Sequence, residues 1–280
     1  MAESATESLE YEPIHPGSGR PADRPAPWKR IGGALVAAGL LLVKLGTKLK
    51  ALLLILPKLK LFTTFGSALV SVAAYALLWG WPFAAGFVAL LFLHELGHVI
   101  QLRREGVAAS APMFIPFLGA VIAAKSMGRD AAAEARVGLA GPLLGSMATL
   151  VPLAVWLATG SDFWRALAYV GFILNLFNLV PVLPLDGGRA MAALTPWMWI
   201  LGFAGIVALA LFFPNPILLL VIVFGGLESW RRWKLRKTAE GRVYHAIPVR
   251  TRVLVAATYL GLAALLAVGA AETYLQKGIG

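Results

Sequence analysis

The chain has 280 residues, 59% of them hydrophobic and 14% charged, with a formal net charge of +11 and no cysteine. That apolar share exceeds the about 45–50% of an ordinary soluble domain and points to a polytopic membrane protein, and the lack of cysteine excludes disulfides and thiolate metal sites. The bases collect at the ends of apolar segments with no aromatic-interleaved basic surface, so no nucleic-acid partner is expected.

Residues 1–28 carry Glu3, Glu7, Glu10, Glu12 and Asp23 among prolines and glycines. They read as a disordered polar tail with no cleavable signal peptide. In 29–60, lysines at 44, 48, 50, 58 and 60 alternate with leucines, and Lys44 and Lys48 share one helical face. This pattern predicts an amphipathic interfacial helix broken near Pro57, with a short re-entrant segment over 31–43 as the alternative.

Spans of about 17–25 residues follow near 62–80, 83–103, 136–158, 164–186, 197–213, 215–230 and 252–271. The fold class is therefore all-α: about seven transmembrane helices, a core over 61–190, accessory helices over 191–271 and a short tail over 272–280. The turns at Gly80-Trp81-Pro82, at 159–163 and at Pro214-Asn215-Pro216 hold no base. The opposite ends hold Lys58, Lys60, Arg103, Arg104, Lys125, Arg129 and Arg189. A further eight bases run from Arg231 to Arg252 in the connector before the last span. Basic ends face the cytoplasm.

The second span contains His94-Glu95-Leu96-Gly97-His98. Residues four apart on a helix share a face, so both imidazoles can reach one metal, with Glu95 offset to polarise a bound water. Ionisable groups inside a span are functional by default. His98 precedes Arg103 by five residues and Asp186 precedes Arg189 by three, so both elements end at the same, cytoplasmic face.

Between the second and third spans, 109–127 is apolar but carries Pro112, Pro116 and Gly119, which disfavour a straight helix. Non-helical backbone at membrane depth must be covered by protein or line a cavity, so this is read as a re-entrant extended loop or hairpin beside the site. An interfacial loop without a catalytic part is the alternative.

A catalytic zinc takes three protein ligands and leaves one position open. His15 lies in the tail, His245 in the connector, and an ion pair with neighbouring arginine accounts for Glu228. Glu134, at the start of the third span, is the alternative ligand of a soluble-facing zinc peptidase. Asp186 follows the apolar run Asn178-Leu-Val-Pro181-Val-Leu-Pro184-Leu185 and precedes Gly187-Gly188. The prolines unwind the helix end, the glycines permit close backbone approach, and a metal is the natural partner of so placed an acid. Asn175 reads as an interhelical hydrogen-bonder, Gly141-Pro142 and Gly145 as close helix packing.

Together, His94-Glu95-Leu96-Gly97-His98, Ala140-Gly141-Pro142-Leu143-Leu144-Gly145 and Asn178 through Gly187, in this order over about 61–190, resemble the site-2 proteases, zinc-dependent intramembrane metalloproteases. The resemblance implies a three-helix catalytic core with zinc held by His94, His98 and Asp186, and Glu95 as general base and acid. It implies that Asn178 orients substrate or stabilises the oxyanion. It also implies that the 109–127 loop, through Pro112, Phe114, Pro116 and Gly119, aligns an extended substrate strand. The expected partners are a membrane protein with a transmembrane segment and the lipid bilayer. The expected location is the cell membrane, multi-pass, with the site nearer the cytoplasmic face. The resemblance departs in two respects: no stretch is long or polar enough for an inserted PDZ domain, and no soluble nucleotide-sensing domain is expected after the last span. A zinc transporter or a non-catalytic scaffold is the alternative. The first gains nothing from Glu95 and lacks an inverted repeat, and the second normally needs four ligands.

Overall fold

A computed structural model describes residues 62–195, 197–213 and 216–274. The expected tail over 1–28, the amphipathic helix over 29–60, residues 275–280 and the Pro214-Asn215 turn lie outside the described residues.

The protein is mostly helical. Helix α1 (Phe62–Trp79) is followed at Gly80, with φ of 79°, by α2 (Trp81–Arg104). Pro82 sits in the first turn of α2, where its missing N–H costs nothing, and Arg103 and Arg104 complement the dipole at its end. Strands β1 (Met113–Ile115) and β2 (Gly119–Val121) form an antiparallel hairpin within the proline-marked loop. Helix α3 (Ala131–Thr159) starts five residues before the expected span because the Asp130 carboxylate accepts from the Ala133 N–H at 2.8 Å.

Helix α4 (Asp162–Asn178) ends eight residues earlier than the expected span. From Leu179 the chain turns through two N–H-less prolines into the short helix α5 (Asp186–Ala190) and a 3₁₀ turn, Met191–Ala193. A Cβ on Gly188 would lie 2.5 Å from the Leu183 nitrogen, so only glycine lets this segment fold on itself. Helices α6 (Trp197–Phe212), α7 (Pro216–Leu235), α8 (Ala239–Tyr244) and α9 (Val249–Thr273) complete the described chain.

Helix α3 packs along both α2 and α4, and α9 packs along α4. Leu139, Phe172, Leu183, Met191 and Leu266 join the elements around α5 in one core cluster. The hairpin lies on α1 and α2 through Phe114, buried among Tyr75, Val88 and Leu91. Outward-facing Leu69, Leu77, Leu157, Leu211, Phe212 and Val268 make an apolar exterior suited to lipid rather than water. Among the described residues three helices, α2, α3 and α9, are long and apolar enough to cross a membrane, and Thr63–Trp79 and α6 are shorter apolar helices. This is a membrane protein.

Candidate metal centre

Regular helix geometry does the first part of the placement. His94 and His98, one turn apart on α2, bring their Nε2 atoms to 3.2 Å from each other. Asp186, in the first turn of α5, sets Oδ2 3.1 Å from both. All three side chains are buried. Ligand atoms bound about 2.0–2.1 Å from a tetrahedral ion lie about 3.3–3.4 Å apart, close to this triangle.

The remaining ring nitrogens decide what the triangle can hold. His94 Nδ1 donates to Asn175 Oδ1 at 2.8 Å, and His98 Nδ1 donates to the Val137 carbonyl at 2.8 Å. The Asn175 amide has its orientation set by Nδ2, which donates to the Gly171 carbonyl at 2.8 Å. With both Nδ1 atoms protonated, each neutral imidazole directs a bare Nε2 lone pair inward, toward a carboxylate oxygen. Three lone pairs meeting in a buried space repel one another unless a cation sits among them. Protonating both rings would set two positive charges against one carboxylate, whereas one divalent ion satisfies all three atoms. Among the described residues this is the group of side chains able to share a metal.

Helix α3 is shaped around this arrangement. A Cβ at Gly141 would overlap the His98 ring, and one at Gly145 would overlap the Asn175 amide. The glycines expected to serve close helix packing thus make room for a ligand and for the group that orients another ligand.

The other sequence candidates lie on α2, on α4 and in or beside the hairpin. Glu95 follows His94 on α2, is half-buried, and has no hydrogen bond among the described residues. The Nδ2 of half-buried Asn178 donates to the Leu174 carbonyl of its own helix at 3.0 Å, and Asn178 makes no hydrogen bond to the three ligands. Pro112 and Phe114 are buried, Pro116 and Gly119 half-buried, all in or beside the hairpin. The Phe114 N–H donates to Ser67 Oγ and the Phe117 N–H to the Tyr75 hydroxyl, each at 3.0 Å.

Glu134 is not part of the cluster. Its carboxylate pairs with Arg232 at 2.6 Å and accepts from the Tyr244 hydroxyl at 2.7 Å. Burial, and then the adjacent Glu134 charge, push the Tyr244 hydroxyl above its ordinary pKa, so it stays protonated as a donor. Glu228 pairs with Arg231 and Arg232, as expected. His245 Nδ1 donates to the Ala192 carbonyl at 3.0 Å, and burial holds its pKa below the ordinary histidine value.

Asn175 is the residue to which sequence reasoning gives too little. A single polar side chain on the buried face of an otherwise apolar helix, four residues after Gly171, is the available signal. The Val137 carbonyl carries none, because backbone has no sequence signature.

The profile of peptidase family M50 matches residues 82–161 and 154–202, the region that carries all three clustered side chains. A zinc metalloprotease of Methanocaldococcus jannaschii is 27% identical over 164 residues, covering 57% of this chain and 47% of that protein. The putative zinc metalloprotease Rip3 of Mycobacterium tuberculosis is 34% identical over 143 residues, 46% of this chain and 35% of its own. The probable chloroplastic zinc metalloprotease EGY1 of Arabidopsis thaliana is 27% identical over 157 residues, 39% and 29% respectively. The chain spans less than half the length of each of these relatives.

Proposed function

We propose, from the chain's membership of peptidase family M50, the site-2 proteases, through residues 82–202, that it is a zinc-dependent endopeptidase hydrolysing peptide bonds in transmembrane segments. One observation carries the reading: two Nε2 lone pairs and a carboxylate oxygen converge at 3.1–3.2 Å with both Nδ1 protons engaged elsewhere. The histidine, histidine, carboxylate donor set with an open position is that of a hydrolytic zinc centre.

Zinc, when bound, supplies a Lewis acid and brings the pKa of a coordinated water to about 7. His94, His98 and Asp186 would hold it, with Asn175 and the Val137 carbonyl fixing the two ring tautomers. The Glu95 carboxylate takes the proton of the attacking water and delivers it to the leaving amine nitrogen. Asn178 is assigned the orientation of the substrate carbonyl, for which its amide turns away from Leu174.

The substrate strand is assigned to the hairpin. The Phe114 N–H points to Ser67 and hence away from β2, so pairs 113–121 and 115–119 carry the ladder bonds. By the same alternation the N–H and C=O of Ala120, opposite Phe114, point away from β1. The free pairing edge is therefore that of β2, and an extended substrate backbone would join there. Pro112 and Phe114 contribute by seating the hairpin, Pro116 and Gly119 by turning it.

About seven helices cross the cell membrane in this reading, and the hairpin re-enters it beside α2. Arg103, Arg104, Arg189 and the basic connector support a site nearer the cytoplasmic face. The partners are the bilayer and a membrane-protein substrate whose helix must unwind locally before cleavage.

The test is cleavage of a single-span substrate by purified protein in lipid vesicles, wild type against Glu95→Gln, with zinc measured in both. The expected result is full zinc in both and at least about a hundredfold loss of cleavage in the variant. Zinc in both with no cleavage of several helix-destabilised substrates would overturn the protease reading. Lack of zinc in both would overturn the metal reading.

A further inference from the structure

Asp186 differs from the two histidines in what holds it. His94 and His98 ride on a continuous helix, whereas Asp186 sits in a stretch from Leu179 to Leu194 that bends through two prolines, a five-residue helix and a 3₁₀ turn. Such a stretch leaves main-chain carbonyls without helical partners, and buried carbonyls must be satisfied by something.

Side chains far along the sequence satisfy them. The Tyr259 hydroxyl donates to the Leu179 carbonyl at 2.6 Å. Arg252 donates through one nitrogen to the Ala193 and Leu194 carbonyls, at 2.9 and 2.8 Å, and through another to the His245 carbonyl at 2.8 Å. His245 donates to Ala192. Trp199 Nε1 adds a bond to the Gly188 carbonyl at 2.6 Å, and the Arg232 guanidinium lies 5.9 Å from the Trp199 ring. Both flanks of Asp186 are thus tied. Tyr259, Arg252 and His245 all lie beyond residue 202, where the family match ends.

We infer that Arg252, His245 and Tyr259 are positioning residues for the third metal ligand: by binding the Leu179, Ala192, Ala193 and Leu194 carbonyls they hold the Asp186 segment against α2, and metal affinity depends on them. The inference rests on the metal-centre reading above. It gives the connector and α9 a role in the site that charge and hydropathy alone do not reveal. Arginine suits the task because its planar fork reaches three carbonyls at once, which a lysine ammonium on a flexible stem does not fix in the same geometry.

The experiment measures zinc affinity of the full chain in detergent by competition with a chelator, together with unfolding temperature in the absence of zinc. The variants are Arg252→Ala, Arg252→Lys, Tyr259→Phe and, as a control, Arg165→Ala. Arg165 donates to the Tyr274 carbonyl at 2.9 Å, just beyond the far end of α9, and supplies a comparable contact remote from Asp186. Arg252→Ala is expected to bind zinc about tenfold more weakly and Tyr259→Phe about threefold, somewhat below the effect of a direct outer-shell partner. Arg252→Lys should fall between Arg252→Ala and wild type, and Arg165→Ala should lower the unfolding temperature alone. Unchanged affinity in folded Arg252→Ala would overturn the inference, leaving the residue merely structural. If that variant does not fold, unchanged affinity in both Arg252→Lys and Tyr259→Phe overturns it equally. If wild type itself binds no zinc, the metal-centre reading fails first and this inference with it.

Discussion

Asn175 gives the sharpest test of how the centre is organised. Its Oδ1 is the acceptor for His94 Nδ1–H at 2.8 Å, at a position only 1% exposed, so no water can take its place. Replacing it with the similarly sized leucine strands that donor, at a cost of about 1–3 kcal/mol for a buried unsatisfied group. The ring can escape only by moving its proton to Nε2, which removes a ligand lone pair. At about 1.4 kcal/mol per decade, Asn175→Leu should weaken zinc binding about 5- to 150-fold, in line with the 10–100-fold typical of outer-shell partners. Asn175→Asp keeps the acceptor in place and should stay within about threefold of wild type by the same reasoning, since carboxylates commonly orient metal-bound histidines.

The neighbouring glycine supplies an internal control. A Cβ at Gly145 would overlap the Asn175 amide, so Gly145→Ala should also weaken binding by displacing that amide. In an Asn175→Ala background the same glycine change should add little, giving a clearly non-additive cycle. The assay is zinc titration against a competing chelator in detergent, with thermal unfolding to confirm folding. A folded Asn175→Leu protein that binds zinc within threefold of wild type would refute the tautomer argument.

Two further outcomes are expected. Ala120→Pro removes an N–H that the hairpin ladder does not use, and proline is tolerated on an edge strand; it should leave zinc content intact and cut substrate cleavage by at least about tenfold, as loss of a main-chain pairing worth about 1.5 kcal/mol predicts. Intact cleavage would move substrate capture off this edge. The second concerns pH. Glu105, just past the end of α2, takes a two-point bond from Arg136, Nε to Oε1 at 2.7 Å and Nη2 to Oε2 at 2.9 Å, which holds its carboxyl below the ordinary glutamate range. Since the folded-state pKa is the lower one, this stabilisation is present above the unfolded value of about 4.3 and is lost as pH falls through the folded value. Arg136 is 41% exposed, so solvent screening limits the effect to about 0.5–1 kcal/mol. Wild type should therefore exceed Glu105→Gln in unfolding temperature near neutral pH and converge with it on acidification; a difference that grows on acidification would refute the assignment.

What the sequence makes legible and what it hides divide along a physical line. The His94–His98 pair is readable because helix geometry is fixed by its period. Asp186 is readable because an acid between two prolines and two glycines in an apolar stretch needs a cation to offset its burial. The same spacing logic cannot choose between Asn175 and Asn178. The two differ by less than one turn, and only the packing of α4 against α2 and α3 puts Asn175 against the ring. The early end of α4 is half legible: the prolines announce an unwound end but not that it begins at Leu179. Glu134 reads as an alternative ligand because its partners, Arg232 and Tyr244, are 98 and 110 residues away, and a long-range ion pair leaves no local pattern.

The distribution of polar side chains in this apolar chain follows from the same division. A helix satisfies its own backbone, so α2 carries its two ligands without outside help beyond the two Nδ1 acceptors. An irregular segment cannot, yet Asp186 needs one: an acid projecting from a straight continuation of α4 would keep to that helix's own axis and faces. Breaking α4 at Leu179 frees the chain to turn Asp186 toward α2, and each freed carbonyl then requires a donor. Tyr259, Arg252, His245 and Trp199 are those donors. The basic connector that reads in the sequence as a cytoplasmic charge cluster is thereby divided in two: Arg231 is largely exposed and pairs with Glu228, while Arg232 and Arg252 turn inward toward the elements around Asp186. Neutralising the inward pair should therefore disturb metal binding, whereas neutralising Arg231 should not.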